Sequence, residues 1–394
     1  MFLDDQTYYA LAKEMAQGAT ASWNPYIHML FHDTATFTFP LTAVDWLIGP
    51  SRTLNALMVA AAGAAVAALT ALIGLRLWGR SAPAIAAGCV VAVLPSQVLF
   101  SSLVLKDAVI WAVLAALALV GTYLRSVSGR IYAARLLLAI MLLLALGYLR
   151  SNTLISVAVA LLLTSWVGPA QGRVFRILSM TAVAVIVPWL VGLGPLGASY
   201  VTHAGSLTGH RSVSAQNAAT ALVPTTTTNP PHTSPPSGAA TAPSPTPSTG
   251  HSGALLSEDS AAKNIRYLPR GILETLLGPD PRRLDHNRNL YLAEGEDILW
   301  YPLILLAVLG LGSVRRRPDL LLFPLLFVGS EIVVFALAEG NFGTAFRHRG
   351  ETTWLIALLG VEGALQLVTR VRHRRSSDRT PASRVPERTE VPVH

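Results

Sequence analysis

Two aspartates in succession, Asp4 and Asp5, head a segment whose Tyr8, Leu11, Ala12 and Met15 recur at helical spacing and which Gly18 is placed to stop. Carboxylates so placed can take a proton from a hydroxyl as general base, or bind a divalent cation through oxygen. The plain alternative is helix capping, for which aspartate is favoured in any case. A second group is Lys106-Asp107, with Arg150 in a neighbouring connection. Lysine offers a phosphate a point charge and arginine a planar fork; both side chains also snorkel at membrane edges. A third is Glu339-Gly340-Asn341-Phe342-Gly343-Thr344-Ala345-Phe346-Arg347-His348-Arg349. Here two arginines flank a histidine behind glycines that let backbone N–H groups approach, the makings of an anion cradle in a loop. His28, His32 and Asp33 form a weaker set: histidines four apart can hold zinc on a helix, but no third ligand stands at a telling distance.

The residues between these groups decide which solvent they meet. Of 394 residues, 52% are hydrophobic and only 13% charged, the composition of a polytopic membrane protein. The formal charge of +8 comes from 30 basic residues against 22 acidic ones. The arginines gather in short clusters between apolar runs, which reads as membrane topology and not as nucleic-acid binding. Cys89 is the one cysteine, so there is neither a disulfide framework nor a thiolate metal site.

The expected fold class is therefore all-α, a polytopic transmembrane helix bundle of about nine spans. Residues 1–50 form an outer segment with the acidic pair and its amphipathic helix, followed over 19–50 by an aromatic, proline-containing interfacial loop too polar to span. Residues 51–196 carry spans one to six, near 54–75, 84–100, 108–124, 136–149, 153–167 and 177–193. Residues 197–297 form an outer insertion. Within it, 223–253 is a Thr/Pro/Ser-rich linker that cannot bury enough surface to fold. The rest, 254–297, holds an interfacial helix with Ile265, Leu268, Ile272, Leu273, Leu276 and Leu277 on its apolar face. Residues 298–369 carry spans seven to nine, and 370–394 a disordered basic tail. Glu331 lies inside the eighth span and is expected to face protein, whereas Glu294, Glu296 and Asp297 read as a solvated helix start.

Arginine placement orients these spans. The connections holding Arg76 and Arg80, Arg125 to Arg135, Arg173 and Arg176, and Arg315 to Arg317, with the tail from Arg370 to Arg388, alternate along the chain with a second set of connections. By the positive-inside rule the first set is cytoplasmic. The acidic pair, Lys106-Asp107, Arg150, the long insertion and Glu339–Glu351 then face outside. Nine spans with a cytoplasmic C-terminus leave Asp4 and Asp5 outside with no span to carry them there. The expectation is an additional helix upstream of Met1, which N-terminal peptide sequencing tests.

An outer segment opening Asp4-Asp5 with Tyr8-Tyr9 and Ala12, then spans containing Pro95, Ser101-Ser102 and Leu105-Lys106-Asp107, resembles the GT-C type polytopic glycosyltransferases. These include the protein O-mannosyltransferase-like and aminoarabinose transferase-like membrane enzymes. Trp300-Tyr301, Gly340-Asn341-Phe342-Gly343-Thr344 and Arg347-His348-Arg349 resemble poorly characterised bacterial members. The resemblance implies transfer of a sugar from a polyprenyl-phosphate donor to a glycan, lipid or protein acceptor at the outer face of the cytoplasmic membrane, with inversion. It implies that Asp4 and Asp5 act as general base or metal ligands, a divalent cation being the cofactor in the second case. By role it assigns the donor phosphate to Lys106, Arg150, Arg347, His348 and Arg349. The alternative is a non-enzymatic protein of cell-envelope glycan assembly, a transporter or complex subunit; a transporter would place broken helices and polar groups at mid-membrane depth.

Overall fold

The computed structural model describes residues 3–18, 25–124, 129–167, 172–192, 261–277, 288–315, 318–338 and 342–377. The linker at 223–253 and the end of the tail lie outside them. Among the described residues every regular element is helical: α1 (Leu3–Ala16), α2 (Pro25–Ile48), α3 (Arg52–Trp78), α4 (Ser81–Val93), α5 (Pro95–Ser101), α6 (Asp107–Tyr123), α7 (Gly129–Leu149), α8 (Ser151–Ser165), α9 (Arg173–Gly192), α10 (Ala261–Leu277), α11 (Arg288–Gly310) with a 3-10 turn (Leu311–Arg315), α12 (Pro318–Ala338) and α13 (Phe342–Ser377).

Among the described residues five helices are long and apolar enough to cross a membrane: α3, α7, α9 and the apolar parts of α11 and α13. A sixth candidate is the pair α4 and α5, bent by 61°. The bend has a local cause. Pro95 has no N–H to donate and excludes a helical residue before it, so Leu94 is extended at φ −65° and ψ 127°. Three shorter apolar helices, Asp107–Tyr123, Thr153–Ser165 and Leu320–Ala336, complete the apolar set. Exposed Leu57, Ile85, Leu137, Met141, Leu178 and Leu305 lie on the outside of the bundle, where a bilayer would cover them.

Close approach of backbones holds the centre together. The helices α11 and α13 cross where Leu303, Leu306 and Gly310 face Leu359, Gly360 and Gly363. A Cβ on Gly363 would fall on the Leu306 carbonyl, and one on Gly310 on the Leu359 carbonyl, so only glycine allows this contact. The helices α3 and α4 meet in the same way, a Cβ on Gly88 lying 2.7 Å from the Ala67 carbonyl oxygen.

Two expectations need correction. The segment expected as an interfacial loop over 19–50 is a helix from Pro25 to Ile48, packed on α1 through the Tyr8 and Phe37 rings, 5.2 Å apart. The insertion holds a helix, α10, within the expected 254–297. It packs against α12, and its last carbonyls, otherwise orphaned at a helix end, accept from Trp300 Nε1 at 2.6 Å and Tyr301 Oη at 2.8 Å. Finally, the first eight residues of the expected tail, 370–377, continue helix α13.

Helix ends sort into two sets. At one end of the bundle, Arg76 from the last turn of α3 and Arg135 from α7 both stack on the Tyr123 ring, 4.7 and 4.9 Å from its centroid, and Arg135 Nη1 donates to the Tyr123 carbonyl at 3.1 Å. The starts of α3, α6, α8 and α13 meet at the other end, through the charged residues described next.

Candidate functional site

Asp107 is the first residue of α6, and Arg150 is the extended residue joining α7 to α8. Arg347 belongs to the first turns of α13. These three meet. Asp107 is fully buried; its Oδ1 accepts from Arg150 Nη2 at 3.0 Å and its Oδ2 from Arg347 Nη2 at 2.7 Å. Burial alone would raise the Asp107 carboxyl, but the two guanidiniums outweigh it and hold it at about 2. Arg150 is pushed upward in turn: burial opposes its charge, and the Glu351 and Asp107 carboxylates more than restore it.

The cluster continues inward along α13. Arg150 Nη1 donates to Glu351 Oε1 and lies 2.5 Å from His348 Nδ1, which is itself 2.9 Å from the same Glu351 oxygen. The His348 ring stacks on Phe335, centroids 4.1 Å apart. Thr153 Oγ1 sits between two carboxyls, 3.2 Å from Glu351 Oε2 and 3.4 Å from Glu331 Oε2. Gly350 lies against Trp111, where a Cβ would overlap the indole.

Arg349 goes elsewhere. The segment expected as a loop cradle is, from Phe342 onward, helix α13. Successive helical residues turn by about 100°, so Arg347 and Arg349 point to nearly opposite sides. Arg349 is 2% exposed; its Nη1 donates to Asp297 Oδ1 at 3.0 Å and its Nε to the Thr275 carbonyl at 3.5 Å, with Trp300 and Phe346 packed on the guanidinium. Two of the acids expected as a solvated helix start are buried: Asp297 pairs with Arg349, and Glu296 accepts from the Ser96 backbone N–H at 2.5 Å and the Ser96 hydroxyl at 2.8 Å, while the side chain of Glu294 lies outside the described residues. Glu296 thus fixes the second half of the bent pair to α11.

Asp5 is also buried. One carboxylate oxygen pairs with Arg52, at the start of α3, and the other accepts from the Val104 N–H at 2.8 Å. Val104 lies three residues before Asp107, so α1 is fastened to the connection that leads into the cluster. Both Asp5 oxygens are occupied by hydrogen-bond donors, which does not fit coordination of a divalent cation there. The side chains of Asp4, His28, His32 and Asp33 lie outside the described residues. Lys106 is half-buried at the N-cap of α6. Among the described residues no group of three His, Cys, Asp or Glu is arranged to hold a metal.

The structure thus joins Arg150, Arg347 and His348 in one cluster, sets Arg349 in a second and Asp5 in a third. Arg52, Thr153, Glu331 and Glu351, which complete them, were not among the expected site residues, and Asp107 was expected beside Lys106 without a role of its own. One signal for them was present in the sequence: Glu351 stands four residues after Arg347 and three after His348, the spacing of one helix face.

No family model, no curated protein and no solved structure matches the chain.

Proposed function

We propose that the protein is a membrane glycosyltransferase of the GT-C type, transferring a sugar from a polyprenyl-phosphate donor to a glycan, lipid or protein acceptor at the outer face of the cytoplasmic membrane. The observation that carries this reading is the convergence of Asp107, Arg150 and Arg347 at the ends of apolar helices, with Asp5 fastened to the connection that leads into them. A donor whose tail belongs in the bilayer holds its phosphate and anomeric carbon at that depth. The five long helices, the bent pair and the three shorter apolar helices are taken as nine spans, with the clustered charges outside and α13 ending in the cytoplasm.

In this reading Arg347, with 17% of its side chain exposed, and Arg150, with 13%, receive the donor phosphate in exchange for Asp107 and stabilise it as it leaves. Lys106 adds charge at the rim, His348 orients Arg150, and Arg349 holds α13 against α11. Because Asp5 is engaged by Arg52 and Val104, Asp4 is assigned the general base and Asp5 the positioning of α1.

A second reading, a transporter or subunit of glycan assembly, is favoured by the helix broken at Leu94 and by Glu331 buried within α12. Purified protein supplied with labelled polyprenyl-phosphate sugars and acceptor extracts separates the two. Transfer of label to an acceptor supports the transferase; movement of intact lipid-linked sugar across vesicle membranes without bond cleavage supports the transporter.

A further inference from the structure

Glu331 differs from every other acid of the cluster. Asp107 has two guanidiniums and Glu351 has Arg150, but among the described residues Glu331, 0% exposed, makes no ion pair; beside it stand the hydroxyls of Thr153, at 3.4 Å, and, one turn further along α8, Ser156. Its Oε1 is buried without a hydrogen-bond partner, and so is the Ser156 hydroxyl oxygen. An unpaired carboxylate in such a place is costly, whereas a neutral carboxylic acid is not.

Hydrogen counting leads to the same point. The Thr153 hydroxyl carries one hydrogen and stands between Glu331 Oε2 and Glu351 Oε2, so it can donate to only one of them. Both contacts become hydrogen bonds if Glu331 donates to Thr153 and Thr153 donates to Glu351. Charge counting agrees. Around Glu331 the neighbouring elements present Asp107 from α6, Arg150 before α8, and Arg347, His348 and Glu351 from α13. On α10, Arg270 and Glu274 pair with each other. Three carboxyls therefore face two guanidiniums, and with a neutral His348 the cluster is balanced only by one additional proton.

We propose that Glu331, Thr153 and Glu351 form a proton-binding site, with the proton resident on Glu331 and exchangeable with water. Binding takes the proton from water and places it on a Glu331 oxygen; release returns it to water and leaves the electron pair on the carboxylate, adding one negative charge behind Arg150. The site stands independently of sugar transfer.

The test is infrared spectroscopy of the purified full chain near neutral pH, reading the carbonyl stretch of a protonated carboxylic acid in H2O and in D2O. The expected result is such a band in the wild type, shifted in D2O, lost in Glu331→Gln and retained in Glu362→Gln. Glutamine mimics the neutral acid, so Glu331→Gln is expected to keep the wild-type melting temperature. A wild-type spectrum without the band, or an equal band in Glu331→Gln, overturns the proposal, and the wild type alone decides it if the variant does not fold. Loss of the wild-type band when sodium chloride replaces choline chloride also overturns it, by making the ligand a metal cation.

Discussion

Arg347 and Arg349 stand two residues apart on one helix and bind carboxylates on two others, Asp107 at 2.7 Å and Asp297 at 3.0 Å. Helix α13 is thereby fastened on opposite sides by neighbouring residues. The pairs are not equivalent: Asp107 has a second guanidinium, Arg150, whereas Asp297 has the Tyr301 hydroxyl beside Arg349.

That asymmetry predicts unequal losses. Arg349→Ala takes the guanidinium away from a buried Asp297 and should destabilise by about 3–5 kcal/mol. Arg347→Ala leaves Asp107 paired with Arg150 and should cost clearly less. Thermal unfolding of both variants in the same detergent checks this; equal losses would show that Arg150 does not compensate.

Acid should loosen the Asp107 cluster in a defined window. Its folded value, about 2, lies below the ordinary 3.8, so its contribution is fully present above pH 3.8 and is lost as pH falls toward 2. The shift corresponds to about 2 kcal/mol. The difference in melting temperature between wild type and Asp107→Asn should therefore narrow across this window, and a difference that widens on acidification would reverse the sign.

The glycine crossing predicts a steric effect without any change of polarity. Gly363→Ala places a methyl group on the Leu306 carbonyl, and backbone cannot turn aside as a flexible side chain would. A loss of about 1–3 kcal/mol is expected, whereas Gly312→Ala, whose Cβ would meet only Gln366 Oε1 at 3.7 Å, should be tolerated. Thermal unfolding of the two variants side by side measures the contrast.

The two N-terminal aspartates should separate by what they lose. Asp5→Asn weakens the pairing with Arg52 and should lower stability by about 1–3 kcal/mol. Asp4→Asn should leave the melting temperature unchanged while abolishing transfer. Stability and label transfer measured on the same preparations distinguish these outcomes.

The apolar helices were legible because hydropathy is a property of the residues themselves. Runs such as Leu54 to Leu75 and Thr352 to Val368 declare themselves without a partner. The site was legible in part: of Lys106, Arg150, Arg347, His348 and Arg349, expected together at a phosphate, Arg150, Arg347 and His348 meet in one cluster. The pairing of these arginines with carboxylates was not legible, because Asp107 and Glu351 are joined to Arg150 across 43 and 201 residues. Reading Gly343 to Arg349 as a loop also hid the divergence of the two arginines, since sides of a chain are defined only once its period is known. Asp297 was misread for a related reason: an acid at a helix start looks solvated until the helix packed over it is placed.

Label transfer by four preparations tests the central claim most directly: wild type, Asp4→Asn, Arg347→Ala, and Glu362→Gln as a control remote from the cluster, each confirmed to be folded and supplied with a polyprenyl-phosphate sugar. The predicted result is transfer by wild type and Glu362→Gln, none by Asp4→Asn, and a fall of about 100-fold or more in Arg347→Ala, the scale of one lost transition-state contact. Wild-type protein that transfers no sugar from any such donor, or undiminished turnover in Asp4→Asn and Arg347→Ala, would contradict it.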